Sequence, residues 1–440
     1  KFNFSFKDST SFVGTIKMKG LPDFFETHIA GKVDKMYFTY QDISEFAIPT
    51  ESGKIPLPET LSSLKYALLS GEFYGFHNNF NTSFNLFTNL GNINMNGALN
   101  NDTRIVALPY YFAKIHANNM NIGDILGVED DMVISFSTDM EGEGLTKKDA
   151  DLDITFDVDK LKIKGNEFKD FIVEGCLENQ RFLATTNMKS NIIGLDLNGM
   201  MDISSEIPSF DIDINVENAD LYRLHLLDND KKMLLSTNVK ANFKGVDIDK
   251  MYGRVVFDNT SYSDSRGNYF MDSLNVTISE NHFDSKDISV KCDFFDADVN
   301  GIVNFKGMAN SFKNYVMNNF HVRKWSKKGV RLNDNMQDFY VSMTLKNTET
   351  LSRLLMPKLK VGNGTSLTAT FVSDNYQLHT TIESDEVRYN NFIFSDIYLK
   401  NKTEDSKSTV NVQVKEFVIK EESISNPVRV SLENVGILVD

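Results

Sequence analysis

Cysteine is scarce in this chain of 440 residues, which contains only Cys176 and Cys292. Two cysteines do not make a disulfide framework. Neither has a second cysteine or a histidine at the spacing of a zinc finger, so the sequence excludes that class of metal domain. We expect both residues to be buried free thiols.

Positive charge is in short supply. Lys and Arg number 46 against 61 Asp and Glu, which gives a formal net charge of −15. Binding to nucleic acid requires a basic stripe that neutralises phosphates, so this balance argues against nucleic-acid partners. A short basic run around Trp325, made of Arg323, Lys324, Lys327 and Lys328, is expected to be a solvated loop.

Long apolar runs are missing. No stretch of about 18 apolar residues occurs, so no membrane-spanning helix is predicted. The first residues, KFNFSFKDSTSF, alternate as a strand does and lack the charged head and apolar centre of a secretory signal. Because the sequence begins and ends in strand-like segments, we expect it to be a piece of a longer protein.

Catalytic and metal-binding motifs are missing too. The seven histidines stand alone, with no pair at the i+2 or i+4 spacing of a zinc site. The segment Gly142-Glu143-Gly144 lacks the third glycine and the following helix of a dinucleotide loop, and no phosphate loop or GxSxG elbow occurs. We predict no enzyme activity, no cofactor and no metal site.

Acidic residues are plentiful, and a row such as Asp153, Asp157 and Asp159 resembles the acidic ladder of a polysaccharide-cleaving β-helix or a calcium site. The spacing is also that of the solvent face of a strand, and no Gly-rich calcium repeat accompanies it. We interpret these carboxylates as residues that keep a sheet soluble.

What the chain does contain is alternation of apolar and polar residues. Leu152, Ile154, Phe156 and Val158 alternate with acidic residues and Thr155, and similar segments recur at roughly 8–14 residues with Asn, Asp and Gly turns between them. A strand points successive side chains to opposite faces, so each segment predicts one apolar face and one wet face. This pattern predicts an all-β chain of antiparallel strands.

Two stretches repeat the same residues at a constant offset. The first is Phe168, Asp170, Glu178, Asn179, Asn198 and Gly199, and the second is Phe270, Asp272, Glu280, Asn281, Asn300 and Gly301. A third, partial copy has Phe394, Asp396 and Glu404, with Asp405 in place of the asparagine. Repeating strand units must stack on their neighbours to bury their apolar faces, so we expect a function distributed along the chain.

Three short amphipathic helices are predicted between groups of strands, where they would pack on the open face or the end of a sheet. Their apolar positions are Leu57, Leu61, Leu64 and Leu68 after Pro56 and Pro58, then Phe312, Tyr315, Val316 and Phe320, and then Leu351, Leu354 and Leu355 before Pro357. The helices suggest three groups of β-groove repeats: 1–135 with a helix near 57–69, 136–320 with a helix near 310–320, and 321–440 with a helix near 348–356.

A sheet with one apolar face must hide it, either as a filled solenoid or as the lining of an open trough. The abundance of Phe, 34 residues, favours a trough, although a packed core would use the same residues. At about 12 residues per strand and turn, the chain would hold roughly 35 strands, a ladder on the order of 170 Å. Candidate lining residues are Leu152, Ile154, Phe156, Val158, Leu195, Leu197, Phe210, Ile212, Ile214, Val216, Leu274, Val276, Ile278, Val299, Val303 and Phe305.

Several segments resemble one known family. The stretches IPSFDIDINVENADLYRLHLL (207–227), VKANFKGVDIDKMYGRVVFDNTSYSDSRGNYFMDSLNVTIS (239–279) and DADVNGIVNFKGMANSFKNY (296–315) resemble the periplasmic repeats of TamB, the translocation and assembly module family, in its Bacteroidota form. GTIKMKGLPDFFETHIAG (14–31) and LFTNLGNINMNGALNN (86–101) are similar to the preceding section of that family. The resemblance rests on the pattern of the strand repeats and on the residues of their turns, not on catalytic motifs.

The resemblance implies a member of the AsmA-like group, with an elongated β-taco, a groove of stacked antiparallel strands and a few short amphipathic helices. In that group the apolar groove is thought to conduct phospholipid acyl chains across the periplasm between the inner and outer membranes, without catalysis. It also implies an inner-membrane anchor and contact with an Omp85-like outer-membrane barrel through terminal regions that are not recognisable in these residues.

Three functions stay open on the sequence. The first is the lipid conduit, and the second is a scaffold or chaperone for outer-membrane protein assembly that uses exposed sheet edges for β-augmentation. The third is a surface adhesin or purely structural solenoid. Bound phospholipid would favour the lipid conduit. An unfolded barrel polypeptide crosslinked to strand edges would favour the assembly scaffold, and a filled interior with neither ligand would favour the adhesin or structural solenoid.

Overall fold

A computed structural model confirms the all-β fold of antiparallel strands with a few short helices. It describes residues 2–6, 10–23, 25–45, 62–128, 131–228, 230–280, 285–319, 336–404, 407–419 and 428–439, and within these ranges it contains 25 strands and four helices. The basic run at 323–328 lies outside these ranges.

The chain divides into two compact units. Unit 1 comprises Lys1–Glu206 and Ile214–Leu234, and unit 2 comprises Ile207–Asp213 and Leu235–Asp440. These units are defined by contacts and not by repeats, so the three-part division inferred from the sequence stays a prediction.

Unit 1 is an antiparallel meander in which each strand from β1 to β12 pairs with the next in sequence. Two short helices interrupt it, α1 (Tyr40–Glu45) and α2 (Ile122–Leu126). The strands are β1 (Phe2–Phe6), β2 (Thr10–Lys19), β3 (His28–Phe38), β4 (Ala67–Phe76), β5 (Asn79–Thr88), β6 (Gly91–Asn100), β7 (Tyr110–Asn121), β8 (Met132–Glu143), β9 (Asp151–Ile163), β10 (Asn166–Glu178), β11 (Arg181–Lys189) and β12 (Gly194–Asp202).

Unit 2 repeats the architecture. Its strands pair in sequence order from β15 to β19 and from β21 to β25, with β19 pairing directly to β21 and the short β20 pairing to β22. Strand β13 (Ser209–Asp220) contributes residues to both units. The other elements are β14 (Leu234–Lys244), β15 (Tyr252–Asp264), β16 (Gly267–Glu280), β17 (Lys286–Cys292), β18 (Phe295–Ile302), α3 (Phe305–Asn319), β19 (Asp338–Leu345), α4 (Thr348–Leu355), β20 (Leu359–Val361), β21 (Ser366–Val372), β22 (Gln377–Tyr389), β23 (Phe392–Glu404), β24 (Lys407–Ile419) and β25 (Val428–Val439).

The strands are longer than the sequence pattern suggested. The longest, β16, has 14 residues, and β9 and β10 have 13 each. Long strands leave fewer turns, which is why the described residues form 25 strands where roughly 35 were expected for the whole chain.

Acidic and amide residues in the left-handed conformation interrupt several of these strands. Asp170, Asn259 and Asp396 have φ values of 53°, 51° and 50°. At each of them the strand pairing skips one residue before it resumes. Asp and Asn tolerate this conformation better than other non-glycine residues. At Asp170 the consequence is that Phe168 and Phe171, three residues apart, pack into the same cluster.

The sequence repeat is only partly a structural repeat. Phe168 is buried at 5% exposure, whereas its counterpart Phe270 is 55% exposed. In the second copy the skipped pair contains Asp272 and Asn259, and the left-handed residue is Asn259 on the partner strand. Phe270 pairs with Ser261 and lies on the polar side of its sheet.

Two of the three predicted helices are found. The helices near 310–320 and 348–356 correspond to α3 and α4, and Phe320 lies just outside the described residues. The prediction of a helix near 57–69 is wrong for its last turn, because Leu68 lies in β4. There it pairs with Tyr37 and Phe87 on the two neighbouring strands. Pairing on both sides satisfies the backbone there better than a helix end would. Leu57 and Leu61 lie outside the described residues.

The left-handed backbone at Asp170 yields a stability prediction. The substitution Asp170→Val places a β-branched residue at φ 53° and is expected to cost about 1–3 kcal/mol of unfolding free energy. Asp170→Gly is the matched control, because glycine adopts this conformation without strain. Scanning calorimetry should give a lower melting temperature for the valine variant than for the glycine variant, and equal temperatures would contradict this role.

Candidate functional site: the apolar face of each unit

The strand register of unit 1 lines up uncharged side chains across nine strands, β4 to β12. In this meander, directly paired residues share a face, so a row of paired residues forms a rung across the sheet. One such rung reads Gly71, Phe84, Met95, Ile115, Thr138, Phe156, Val173, Thr186 and Leu197. Another reads Gly75, Phe80, Leu99, Tyr111, Gly142, Leu152, Leu177, Phe182 and Met201.

The rung between them, Phe73, Thr82, Gly97, Ala113, Met140, Ile154, Gly175, Ala184 and Gly199, is uncharged as well. The three rungs together are called the apolar face of unit 1. Two rungs are interleaved with these on the opposite side. One is polar at every position: Glu72, Ser83, Asn96, Lys114, Asp139, Thr155, Glu174, Thr185 and Asn198. The other mixes polar and apolar residues: Tyr74, Asn81, Ala98, Phe112, Glu141, Asp153, Cys176, Leu183 and Met200. A shift of one residue in any strand would bring polar side chains into the face.

Unit 2 likewise has an apolar face and an opposite face that carries polar and charged residues. One rung from β15 to β24 reads Val255, Val276, Val290, Ala297, Met343, Leu367, Ile382, Leu399 and Val412, and it defines the apolar face of unit 2. The adjacent rung on the other side reads Arg254, Thr277, Ser289, Asp298, Ser342, Thr368, Thr381, Lys400 and Asn411. Val276 and Thr277 are thus neighbours in sequence on opposite faces.

Both apolar faces remain partly open to solvent. In the rung through Val276, Ala297 is buried and the other eight side chains are half-buried. In unit 1 the same holds for Leu152, Ile154 and Phe156, whereas Val158 is buried. Half-buried apolar side chains in an ordered row are available to contact an apolar ligand.

The structure brings most predicted lining residues together within their units. Leu152, Ile154, Phe156 and Val158 of β9 share the apolar face of unit 1 with Leu197, through direct pairing across β10 and β11. Leu195 belongs to the same face, because it pairs with Met188. In unit 2, Leu274, Val276 and Ile278 share a face with Val299 through β17. Phe210, Ile212, Ile214 and Val216 alternate along β13, where Phe210 stacks on Phe243 of β14.

The prediction that Val303 and Phe305 continue the lining strand is wrong. The alternation suggested that β18 continues through them, but β18 ends at Ile302 and Phe305 begins α3. The cause is Asn304, whose side chain accepts a 2.7 Å hydrogen bond from the Gly307 N–H, the bonding of a helix cap. Val303 is buried beside this turn.

A charged residue, Lys286, sits where the apolar side of unit 2 meets α3. It shares the side of β17 that carries Ile288 and Val290, and it is buried. Its ammonium donates a 2.9 Å hydrogen bond to the Val303 carbonyl and lies 4.9 Å from the centre of the Phe305 ring. Burial lowers the pKa of Lys286, with Asp249 and Asp247 opposing that shift. This lysine ties β17 to the start of α3.

Helix α3 packs against the end of the apolar face of unit 2. The Tyr315 ring meets Phe371 edge to face at 6.0 Å between centroids, and its hydroxyl is 3.1 Å from the Thr403 hydroxyl. Asn319 donates a 3.0 Å hydrogen bond to the Tyr376 carbonyl. These contacts make α3 a cap of the sheet, as predicted from its amphipathic sequence.

A non-helical segment does the same for unit 1. Leu224 packs against a cluster formed by buried Phe168, Met188 and Ile192, at the end of the apolar face. Sequence reasoning missed this cap, because the segment that carries Leu224 has neither helical nor strand periodicity. The contact that places it, from the Asn166 side chain to the Arg223 carbonyl, joins residues far apart in sequence.

In the part of the chain that the structure describes, the cysteines stand apart from any candidate metal site. Cys292 is buried and Cys176 is half-buried, and both are free thiols. Within the described ranges, no three His, Cys, Asp or Glu side chains are grouped closely enough to hold a metal ion.

None of the helices in the described part of the chain is both long and apolar enough to cross a membrane.

Comparison with known proteins gives no match: no protein-family model, no curated protein and no solved structure is similar to the chain.

The cap formed by α3 yields a second prediction. Tyr315 is 3% exposed, and Tyr315→Ala should cost about 3–5 kcal/mol, the usual range for a buried aromatic residue. Tyr315→Phe, which removes the hydroxyl and keeps the ring, should cost about 1 kcal/mol. Phe312→Ala is the control on the same helix, because Phe312 is 51% exposed. Urea unfolding would contradict the cap if Tyr315→Ala cost no more than Phe312→Ala.

Proposed function

We propose that the chain is part of a conduit in which phospholipid acyl chains lie against the apolar faces of the two units. The observation that carries the proposal is the row of uncharged side chains that the strand register lines up across nine strands in each unit, most of them half-buried. Alternation by itself is usual in an antiparallel sheet with one covered face. What supports a ligand is that this apolar row stays partly open to solvent.

The resemblance to TamB repeats supports the same proposal and adds a setting. A TamB-like chain of the AsmA-like family would work in the periplasm, anchored to the inner membrane in the full-length protein, between the inner and outer membranes. An Omp85-like barrel would be its outer-membrane partner. The scaffold function for outer-membrane protein assembly is the alternative within the same family.

The energetics favour acyl chains as ligands. Each methylene that leaves water for an apolar surface gains about 0.8 kcal/mol, so a lipid tail needs no specific pocket to be held. Successive strands offer similar uncharged surfaces along each rung, so neighbouring positions along a rung have similar energy and the tail can slide between them. The headgroup stays in water, as charged groups do unless they are paired.

A single charge on the lining should interrupt this binding. Val276→Asp places a carboxylate in the middle of an apolar rung, where a tail lying over it would cost several kcal/mol of desolvation. Because Val276 is half-buried, the carboxylate keeps water when no lipid is bound, and we expect the variant to fold. The adjacent Thr277→Asp puts the same charge on the polar face beside Arg254 and Ser289.

The measurement is native mass spectrometry of the chain purified from a bacterial envelope, followed by lipid extraction. We expect bound phospholipid in the unmodified chain and in Thr277→Asp, and its loss in Val276→Asp, with circular dichroism unchanged in both variants. Equal lipid in the two variants would contradict the conduit. A lipid-free chain that crosslinks to unfolded barrel polypeptide would favour the assembly scaffold.

A further inference from the structure

An open cavity of about 840 Å³ lies at one end of the apolar face of unit 1. Its walls are the turn between β9 and β10, with Lys164 and Asn166, and the segment 221–228, with Arg223, His225 and Leu226. Asn166 forms the last pair of β9 and β10, opposite Ile163. The cavity therefore opens at the ends of these two strands, beyond their last paired residues.

The two walls are held together by defined contacts. The buried Asn166 side chain donates a 2.5 Å hydrogen bond to the Arg223 carbonyl. The Arg223 N–H donates a 2.9 Å hydrogen bond to the Asp220 carboxylate. Next to it, Leu224 packs into the cluster of Phe168 and its neighbours. These contacts hold the segment in place around Arg223, so the fold itself determines the shape of the cavity.

The cavity is basic although the chain is acidic. Its lining includes Lys164, Arg223 and His225, against one carboxylate, Asp228, in a chain of net charge −15. Within the described residues the Arg223 side chain makes one hydrogen bond, at 3.4 Å to the Asn191 carbonyl. A guanidinium carries five N–H donors in a planar fork suited to a phosphate. Donors therefore remain for an anion.

The cavity also has an apolar rim. Leu226 is 65% exposed and lies in the same wall as Arg223, and Leu227 beside it is exposed as well. A basic pocket with exposed leucines, at the end of an apolar face, matches a molecule that joins a phosphate to hydrocarbon tails. Inorganic phosphate would use the charges but not the leucines.

We propose that this cavity binds the phosphodiester of a glycerophospholipid headgroup, while the tails lie toward the apolar face of unit 1. The inference rests on the proposed conduit and adds a site to it: the position where a lipid is held by its headgroup. Arg223 is the principal phosphate ligand, and the Leu226 rim contacts the glycerol and the start of the tails.

The test is calorimetric titration of the full chain with three probes: monomeric dihexanoyl phosphatidylglycerol, sn-glycerol 3-phosphate and inorganic phosphate. We expect the short-chain lipid to bind most tightly, and Arg223→Gln to weaken it about tenfold, equivalent to about 1.4 kcal/mol. Arg223 is exposed, so this variant should keep the melting temperature of the unmodified chain. Arg254→Gln, on the polar face of unit 2, is the control and should bind as the unmodified chain does.

Two results would overturn the site. One is unchanged lipid affinity in Arg223→Gln, and the other is inorganic phosphate binding as tightly as the lipid, which would identify a free-anion site. A different pair of results would show that the conduit fails while the headgroup site stands. Val276→Asp would retain co-purified lipid, and Arg223→Gln would still lower the affinity for the short-chain lipid.

Discussion

The structure depends on strand register maintained over many consecutive antiparallel pairs. Side chains alternate with a period of two, so each pair that forms in register keeps uncharged residues on the apolar face and charged residues on the other. No second layer is needed to explain the pattern in either unit. The apolar side chains along the rungs are mostly half-buried, which leaves surface for a ligand that is itself a chain of methylenes.

The ends of the apolar faces are built differently from their middles. In unit 2 the end carries Lys286 and the α3 cap, with Tyr315 packed on Phe371. In unit 1 the end carries the cluster around Leu224 and the basic cavity beside Arg223. The proposed headgroup site uses the exposed Arg223 of unit 1, whereas the buried Lys286 ammonium of unit 2 is bonded to the Val303 carbonyl. The proposed conduit and headgroup site follow from this arrangement.

The sequence predicted the faces better than the ends. Alternation in β9 identified Leu152, Ile154 and Phe156 correctly as one face, since a period of two is visible in the residues themselves. It could not detect the helix cap at Asn304, because an apolar residue on each side continued the strand pattern into α3. It also did not show that Phe168 is buried and Phe270 exposed, because burial depends on which side of its strand each copy turns toward the apolar face.

Contacts between distant segments were equally invisible to pattern reasoning. The Asn166 to Arg223 hydrogen bond creates the basic cavity, yet neither residue belongs to a motif, and the surrounding lysines look like an ordinary solvated turn. Overall composition gave no sign of a local basic cluster, because a net charge of −15 is an average over the whole chain. Such a cluster emerges when the fold brings the turn and the 221–228 segment together.

Photocrosslinking along a single strand of the apolar face tests the lipid conduit most directly. A photoreactive amino acid would be placed in turn at residues 152 to 157 of β9, and phospholipid adducts would be quantified in the cell envelope. We expect a period of two, with adducts at positions 152, 154 and 156 and few at 153, 155 and 157. Adducts of equal yield at all six positions, or none at any of them, would contradict it.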